Sequence, residues 1–209
     1  AIDITERKKM ELQLSETLEA LSFETWMNRA LADLSQEILE PDLSVEKLSQ
    51  RIQDVAMEIA ESEFAYVGSV NPENEDLTLH AFSDKAKKDC QIPGTCFSFS
   101  KEDGRYTGLW GVSLNTMEGF ITNDPENHPA FKGLPEGHVP IRRFLTVPAI
   151  ADNKPLGEIA VANASRDYTQ DDKSNLQRLA NLYAMAIKSI RYDERLIEAR
   201  KEAEKANNA

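Results

Sequence analysis

Phe144-Leu-Thr-Val-Pro-Ala-Ile-Ala151 and Gly157-Glu-Ile-Ala-Val-Ala-Asn-Ala164 are two apolar runs of strand length, separated by Asp152-Asn153-Lys154-Pro155. Turn-forming residues between two such runs predict a β-hairpin. Upstream, Phe64-Ala-Tyr-Val-Gly-Ser-Val70 reads as a buried strand. The turn Asn71-Pro-Glu-Asn-Glu-Asp76 leads from it into the alternating run Leu77-Thr-Leu-His-Ala-Phe-Ser83. A further short strand is expected at residues 96–100. Downstream of the hairpin the period changes. Leu176, Tyr183, Ile190 and Ile197 recur every seven residues, with Leu179 and Ala186 between them. That heptad spacing predicts one long helix, capped by Asp171 or Asp172, that pairs with another helix. Residues 171–206 at 1.5 Å each would extend about 54 Å.

The amino-terminal end is also helical. Met10, Leu14, Leu18 and Leu21 form one apolar stripe, and Phe23, Trp26, Ala30, Leu34 and Ile38 carry it onward. Pro41, Asp42 and Ser44 mark a stop and a restart. Val45, Leu48, Ile52, Val55 and Ile59 then predict a second helix. Helices at both ends and strands grouped between them make an α+β layout.

The chain has 209 residues and a formal net charge of −12. So acidic a surface argues against binding nucleic acid, which needs basic groups, and against docking on an anionic membrane face. No apolar run approaches the roughly 18 residues of a membrane-spanning helix, and no signal peptide opens the chain. Two cysteines, Cys90 and Cys96, cannot build a disulfide framework or a four-thiolate zinc site, so a cytoplasmic setting is expected. Ala1 lies within a charged helical pattern, as expected of a piece of a longer protein.

Residues 104–148 hold six of the nine glycines, five of the nine prolines and two of the three histidines. This density predicts a long shaped loop region rather than helix or strand. Its apolar residues Trp110, Phe120, Ile121, Phe131, Leu134 and Val139 must still be buried, and folding the loop over the sheet would bury them. Residues 110–143 are therefore expected to wall a pocket. Asn123, Asp124 and His138 would offer hydrogen-bonding groups. Arg142 and Arg143 would either clamp an anionic or carbonyl-rich ligand or pair with surface carboxylates. Trp110 fits a pocket wall or, better, core packing. Cys90, Asp124, His128 and His138 are metal-ligand types, but their spacing matches no standard zinc pattern, and histidines in such a loop more often bond backbone groups. No G-x-S-x-G, Gly-rich phosphate loop or H-E-x-x-H is present, so no catalysis is expected.

Three stretches together resemble the GAF domain family. They are Ser113-Leu-Asn-Thr-Met-Glu-Gly-Phe-Ile-Thr-Asn-Asp-Pro125, Gly133-Leu-Pro-Glu-Gly-His-Val-Pro-Ile-Arg-Arg-Phe-Leu-Thr-Val-Pro148, and Gly157-Glu-Ile-Ala-Val-Ala-Asn163. The branch they look most like is found in bacterial and archaeal sensor histidine kinases. Asp3-Ile-Thr-Glu-Arg-Lys8 is similar to the tail of a PAS domain, and Glu198-Ala-Arg-Lys-Glu-Ala-Glu-Lys-Ala-Asn207 to a linker into a kinase dimerisation helix. The resemblance implies an α+β fold with a central antiparallel sheet of about six strands. Terminal helices would cover one face and a loop-covered pocket the other. It divides the chain into a signalling helix over residues 1–24, a GAF domain over 25–190 and a second signalling helix over 191–209.

The cyclic-nucleotide pattern of the family is matched at Asn163, Tyr168 and Asp172, but Ala164 and Lys173 depart from it. Neither cysteine has the Cys-His setting of bilin attachment. Haem stays open through Cys90 and His138. The resemblance thus implies a small-molecule sensor that controls a downstream histidine kinase. The alternatives are a ligand-free dimerisation spacer and a haem or metal redox sensor. The expected partners are a second copy, through both terminal helices, by Leu176, Leu179, Tyr183, Ala186 and Ile190 at the carboxyl end and the similar stripe from Met10 to Leu21 at the amino end, and flanking PAS and kinase domains. Charges at Tyr183 and Ile190 would then give monomers.

Overall fold

A computed structural model describes residues 4–40, 43–89 and 98–207. The elements in chain order are α1 (Ile4–Glu37), α2 (Val45–Ile59), β1 (Phe64–Val70), β2 (Leu77–Phe82), α3 (Asp84–Asp89), β3 (Ser98–Phe99), α4 (Trp110–Thr116), β4 (Phe120–Thr122), β5 (Phe144–Ala151), β6 (Lys154–Ala162) and α5 (Gln170–Asn207). The six strands form one sheet in the order β3-β2-β1-β6-β5-β4, and every neighbouring pair is antiparallel. The expected α+β fold, with helices on one face and loops on the other, is the observed one.

The hairpin turn is tighter than the sequence suggested. Asp152 and Asn153 both take left-handed backbone, at φ 50° and 61°, and Ala151 already pairs with Lys154. Two consecutive left-handed residues make the two-residue turn whose twist matches the strands, and Asp and Asn tolerate that conformation best after glycine. Lys154 and Pro155 therefore belong to β6. Pro155 precedes the first residue of β6 that pairs with β1, so its missing N–H interrupts no ladder there.

Strand alternation sorts the residues between the faces. Ala65 and Val67 of β1, Leu145, Val147 and Ala149 of β5, and Ile159 and Val161 of β6 join the core under the helices. Phe64, Phe144, Ala160 and Ala162 face the other way. Leu176, Leu179, Tyr183 and Ala186 are fully buried in the first core, and Ile190 packs against it. This corrects the α5 part of the expected contact between copies. As far as Ile190 the heptad pattern of α5 is satisfied within the chain, against the sheet and α2, because a helix lying on a sheet needs the same apolar stripe as a helix in a coiled coil, whereas Ile197 on the projecting half is exposed.

The amino-terminal cap of α5 is also corrected. Thr169 accepts the Asp172 N–H on its hydroxyl at 3.3 Å, and Asp172 accepts the Thr169 N–H at 2.7 Å. This reciprocal pair caps the helix, with Asp172 three residues inside it. Arg166 adds two charge-assisted bonds to the Asp172 carboxylate, at 2.7 and 2.9 Å. Residues 110–122, expected to lack helix and strand, hold α4 and β4. The glycines there sit at the edges of α4 or permit close approach, as Gly111 does. A Cβ at Gly111 would lie 2.6 Å from the Tyr106 carbonyl carbon.

Side-chain contacts fix how the helices run. Ser49 of α2 meets Tyr183, while Ser62, just after α2, meets Tyr168, so α2 and α5 are antiparallel. Arg178 of α5 holds Glu24 and Asn28 of α1, and Arg51 of α2 holds Glu37 of α1. Thus α1 runs parallel to α5. The first half of α1 leaves the domain at one end and the second half of α5 leaves it at the other. Both helices continue unbroken through residues 24 and 190.

Candidate functional site

The helix-covered core is mainly apolar, with Ser49 and Gln53 of α2 among its buried polar residues, and the opposite face of the sheet carries a buried polar cluster. Glu158 of β6 has a side chain of the same parity as Ala160 and Ala162, so it points away from the helices and lies fully buried. Its Oε1 accepts the Tyr66 hydroxyl of β1 at 3.2 Å and the Thr146 hydroxyl of β5. Ser113, carried over the sheet by α4, lies 3.3 Å from Thr146 Oγ1. Oε2 of Glu158 has no hydrogen-bond partner among the described residues. Burial pushes the carboxyl up to about 8, against the opposing pull of the Thr146, Tyr66 and Ser113 hydroxyls. Burial, with Glu158 beside it, also holds the Tyr66 phenol well above its ordinary value.

Residues of the 104–148 region do cover this face. Leu109, Val139 and Trp110 pack with Phe64, Phe144, Ala160 and Ala162, and Tyr106 and Leu114 pack with Val70, Leu77 and Leu79. The expected polar lining is dispersed, however. Trp110 packs against Phe99 with the rings tilted and against Tyr106 edge to face, at 4.8 and 5.6 Å between ring centres. Asn123 clasps the Tyr168 backbone with both ends of its amide. Asp124 accepts from Asn127 in its own turn. His138 Nδ1 meets the Val139 carbonyl oxygen at 2.6 Å. Arg142 pairs with Glu63 at 3.1 Å and Arg143 with Asp167 at 2.7 Å. These two arginines line a groove of about 480 Å³ with Glu61, Ser62, Glu63 and Asn163. The titratable group that faces inward on this side of the sheet is instead the carboxyl of Glu158.

The residues on the cyclic-nucleotide pattern serve the framework. Asn163, left-handed at φ 62°, accepts the Arg142 N–H and donates to Pro140 O. Tyr168 bonds Ser62 at 2.7 Å. Asp172 caps α5. Burial would raise the Asp172 carboxyl, but Arg166 and Thr169 outweigh it and hold the group below its ordinary value. Cys90, half of the haem pair, lies outside the described residues. No group of three or more His, Cys, Asp or Glu among the described residues is placed to hold a metal ion. No described helix is long and apolar enough to cross a membrane.

A second cluster lies on the helix face. Ser69 Oγ is 2.8 Å from His80 Nε2, and His80 Nδ1 is 3.6 Å from Glu46. Burial and Arg191 keep the imidazole below its ordinary value, despite Glu46. The order of groups is that of a nucleophile, a base and an orienting acid. Ser69, however, sits in a central strand whose backbone is laddered to β2 and β6. Those ladders engage the backbone N–H groups of the strand, so they are not free to stabilise an oxyanion at Ser69.

Sequence reasoning missed Glu158, Tyr66, Thr146 and Ser113. The available signal was one acidic residue inside an apolar strand, at the parity of the loop-covered face.

Residues 42–188 match the family described as the GAF domain. Over 178 residues the chain is 28% identical to the methyl sulfide methyltransferase-associated sensor of Methanosarcina acetivorans, covering 85% of this chain and 16% of that protein. The chain therefore spans about one sixth of that relative. Its fold is similar to the GAF domain of a phosphoenolpyruvate-protein phosphotransferase from Coxiella burnetii, with a TM-score of 0.64, 21% identity, and coverage of 80% and 96% of the two chains. It is also similar to the free methionine-R-sulfoxide reductase of Neisseria meningitidis in complex with its substrate, with a TM-score of 0.62, 16% identity, and coverage of 84% and 93%.

Proposed function

The chain belongs to the GAF domain family, and from that premise we propose that it is a sensory module that binds a small molecule on the loop-covered face of its sheet. Helices α1 and α5 pass the bound state to flanking PAS and histidine-kinase domains of a longer cytoplasmic protein. The observation that carries this reading is the polar cluster around Glu158, buried on the face opposite the helices. A buried carboxyl oxygen without a partner costs stability unless something else uses it. The through-running arrangement of α1 and α5 gives a route between the two ends, and the relative in Methanosarcina acetivorans is named as a sensor. A ligand shifts such a system only by its different affinity for two states, so binding must alter how α5 sits on the sheet.

A thermal-shift screen of small metabolites tests the proposal. At least one compound is expected to raise the melting temperature of this chain and to lose its effect in Ser113→Leu. The alternative, a ligand-free structural spacer, is favoured by the packing of Trp110 between Phe99 and Tyr106. It predicts no stabilising compound at all.

Pairing with a second copy is part of the same proposal, carried now by the amino-terminal half of the expected contact. Met10, Leu14, Leu18 and Leu21 are 56–62% exposed along the projecting half of α1. An apolar stripe of that spacing is what a partner helix covers. Leu14→Glu with Leu18→Glu is expected to give a folded monomer by light scattering, whereas a charge at buried Tyr183 is expected to unfold the domain. A dimer that survives the α1 double substitution would refute pairing through this stripe.

A further inference from the structure

Resting on the reading that the loop-covered face is the ligand site, we infer that the ligand group it recognises is a protonated amine, seated on Glu158 Oε2 and the hydroxyls of Ser113, Thr146 and Tyr66. These four side chains all end in oxygen, and the carboxyl is fully buried with Oε2 unpartnered among the described residues. The nearby arginines on the rim are engaged elsewhere, Arg142 with Glu63 and Arg143 with Asp167. The face thus offers one carboxyl and three hydroxyl oxygens, and these four side chains bring no positive charge. An ammonium group supplies what is missing: three N–H donors and a charge. A carboxylate or phosphate ligand would find no cationic partner among these four side chains, and an apolar ligand would leave Oε2 as it is.

Burial favours the neutral carboxyl in the empty site, which the upward shift of its titration supports. When R–NH3⁺ enters, the carboxyl releases its proton to solvent, and the ammonium–carboxylate pair forms in its place. Water exclusion strengthens that charge-assisted bond. The polar contact between α4 and the sheet at this point is the 3.3 Å approach of Ser113 to Thr146, long for two hydroxyls.

The test uses three probes of matched size, n-propylammonium chloride, propan-1-ol and sodium propionate, with sodium chloride equalising ionic strength at pH 7. Propylammonium is expected to raise the melting temperature and the other two are not. Glu158→Gln is expected to weaken propylammonium binding at least tenfold. Calorimetry in buffers of different ionisation heat should show proton release in the unsubstituted chain and none in Glu158→Gln. Ser113→Ala, which keeps the carboxyl, should weaken binding by a smaller factor. Equal binding to the unsubstituted chain and Glu158→Gln would overturn the inference. Stabilisation by propan-1-ol or propionate without propylammonium would also overturn it, while leaving the sensor reading intact. If neither these probes nor any compound of the wider screen stabilises the chain, both fall.

Discussion

Glu158→Gln is expected to abolish a loss of stability that the unsubstituted chain suffers between pH 5 and pH 8.5. Folding raises this carboxyl from its ordinary 4.5 to about 8. Between those values the folded chain holds the proton and the unfolded chain has released it. The folded state then binds more protons, so stability falls as pH rises. The contribution is fully present below the unfolded value and is lost as pH passes through the folded one. A shift of this size, at about 1.4 kcal/mol per unit, corresponds to a loss on the order of 5 kcal/mol. For a chain of this length that is roughly 10 °C or more in melting temperature. Gln has the shape of the carboxyl and no charge to bury, so the variant should show none of this loss.

His80 and Asp172 act in both proteins and cancel from the comparison. His80 is held below its ordinary value, so its contribution is present above that value and is lost as pH falls through the folded one. Asp172, also lowered, behaves in the same way at more acid pH. Tyr66 is raised, and its contribution is lost only in strongly alkaline solution. Melting curves of the two proteins at pH 5, 6, 7 and 8.5 check the result. Parallel curves would mean that Glu158 is ionised and solvated in the folded state.

The parts of the fold that were legible in the sequence were those set by strict periodicity. Phe64–Val70 and Phe144–Ala151 read as strands because runs of Val, Ala, Ile and Phe bounded by turn residues leave few alternatives. The α5 stripe was equally plain as a stripe, but its partner was not. Spacing reports that one side of a helix is buried. It does not say whether a sheet, a neighbouring helix or a second chain does the burying, and here Tyr183 lies against the sheet with its hydroxyl on Ser49. α4 was hidden by Gly111 and by its own brevity. A seven-residue helix has too few turns to declare a period, and tertiary packing rather than propensity holds it.

The site was less legible than the fold, for a related reason. Arg142, Arg143 and Asp124 stood out by residue type, yet each has an oppositely charged or polar partner close by. What distinguishes Glu158 is the lack of such a partner for Oε2 among the described residues, and that is a property of three strands meeting one helix. Tyr66, Thr146 and Glu158 come from β1, β5 and β6, which pairing brings side by side although 92 residues separate the first from the last.

Gly157→Ala is expected to be among the most damaging single-atom additions in the chain, and to act on signalling as well as stability. Gly157 precedes Glu158 in β6 and faces the helices. A Cβ there would lie 2.5 Å from the Gly68 carbonyl oxygen, 3.0 Å from Tyr183 Cε1 and 3.2 Å from Ile187 Cδ1. The first contact is backbone of the adjoining strand, and the others belong to the buried side of α5, so none can yield without moving an element. Overpacking of this kind costs roughly 1–3 kcal/mol. That corresponds to about 3–10 °C in melting temperature for a chain of this size. Gly133→Ala separates sterics from backbone preference. Gly133 has φ +82°, and a Cβ there would meet nothing within 4 Å, so its cost is conformational alone, about 1 kcal/mol. The larger loss at Gly157 would show that β6 and α5 are in hard contact directly behind Glu158. A displacement of β6 by a ligand on one face must then be taken up by Tyr183 and Ile187 on the other. On the proposed function, Gly157→Ala in the longer parent protein should hold α5 in one setting and make kinase output insensitive to ligand. Spin labels at exposed Lys8 and Lys201 should likewise show no ligand-dependent change in their separation. An unchanged melting temperature together with a normal ligand response would place slack between β6 and α5, and signal transfer would have to run through another contact.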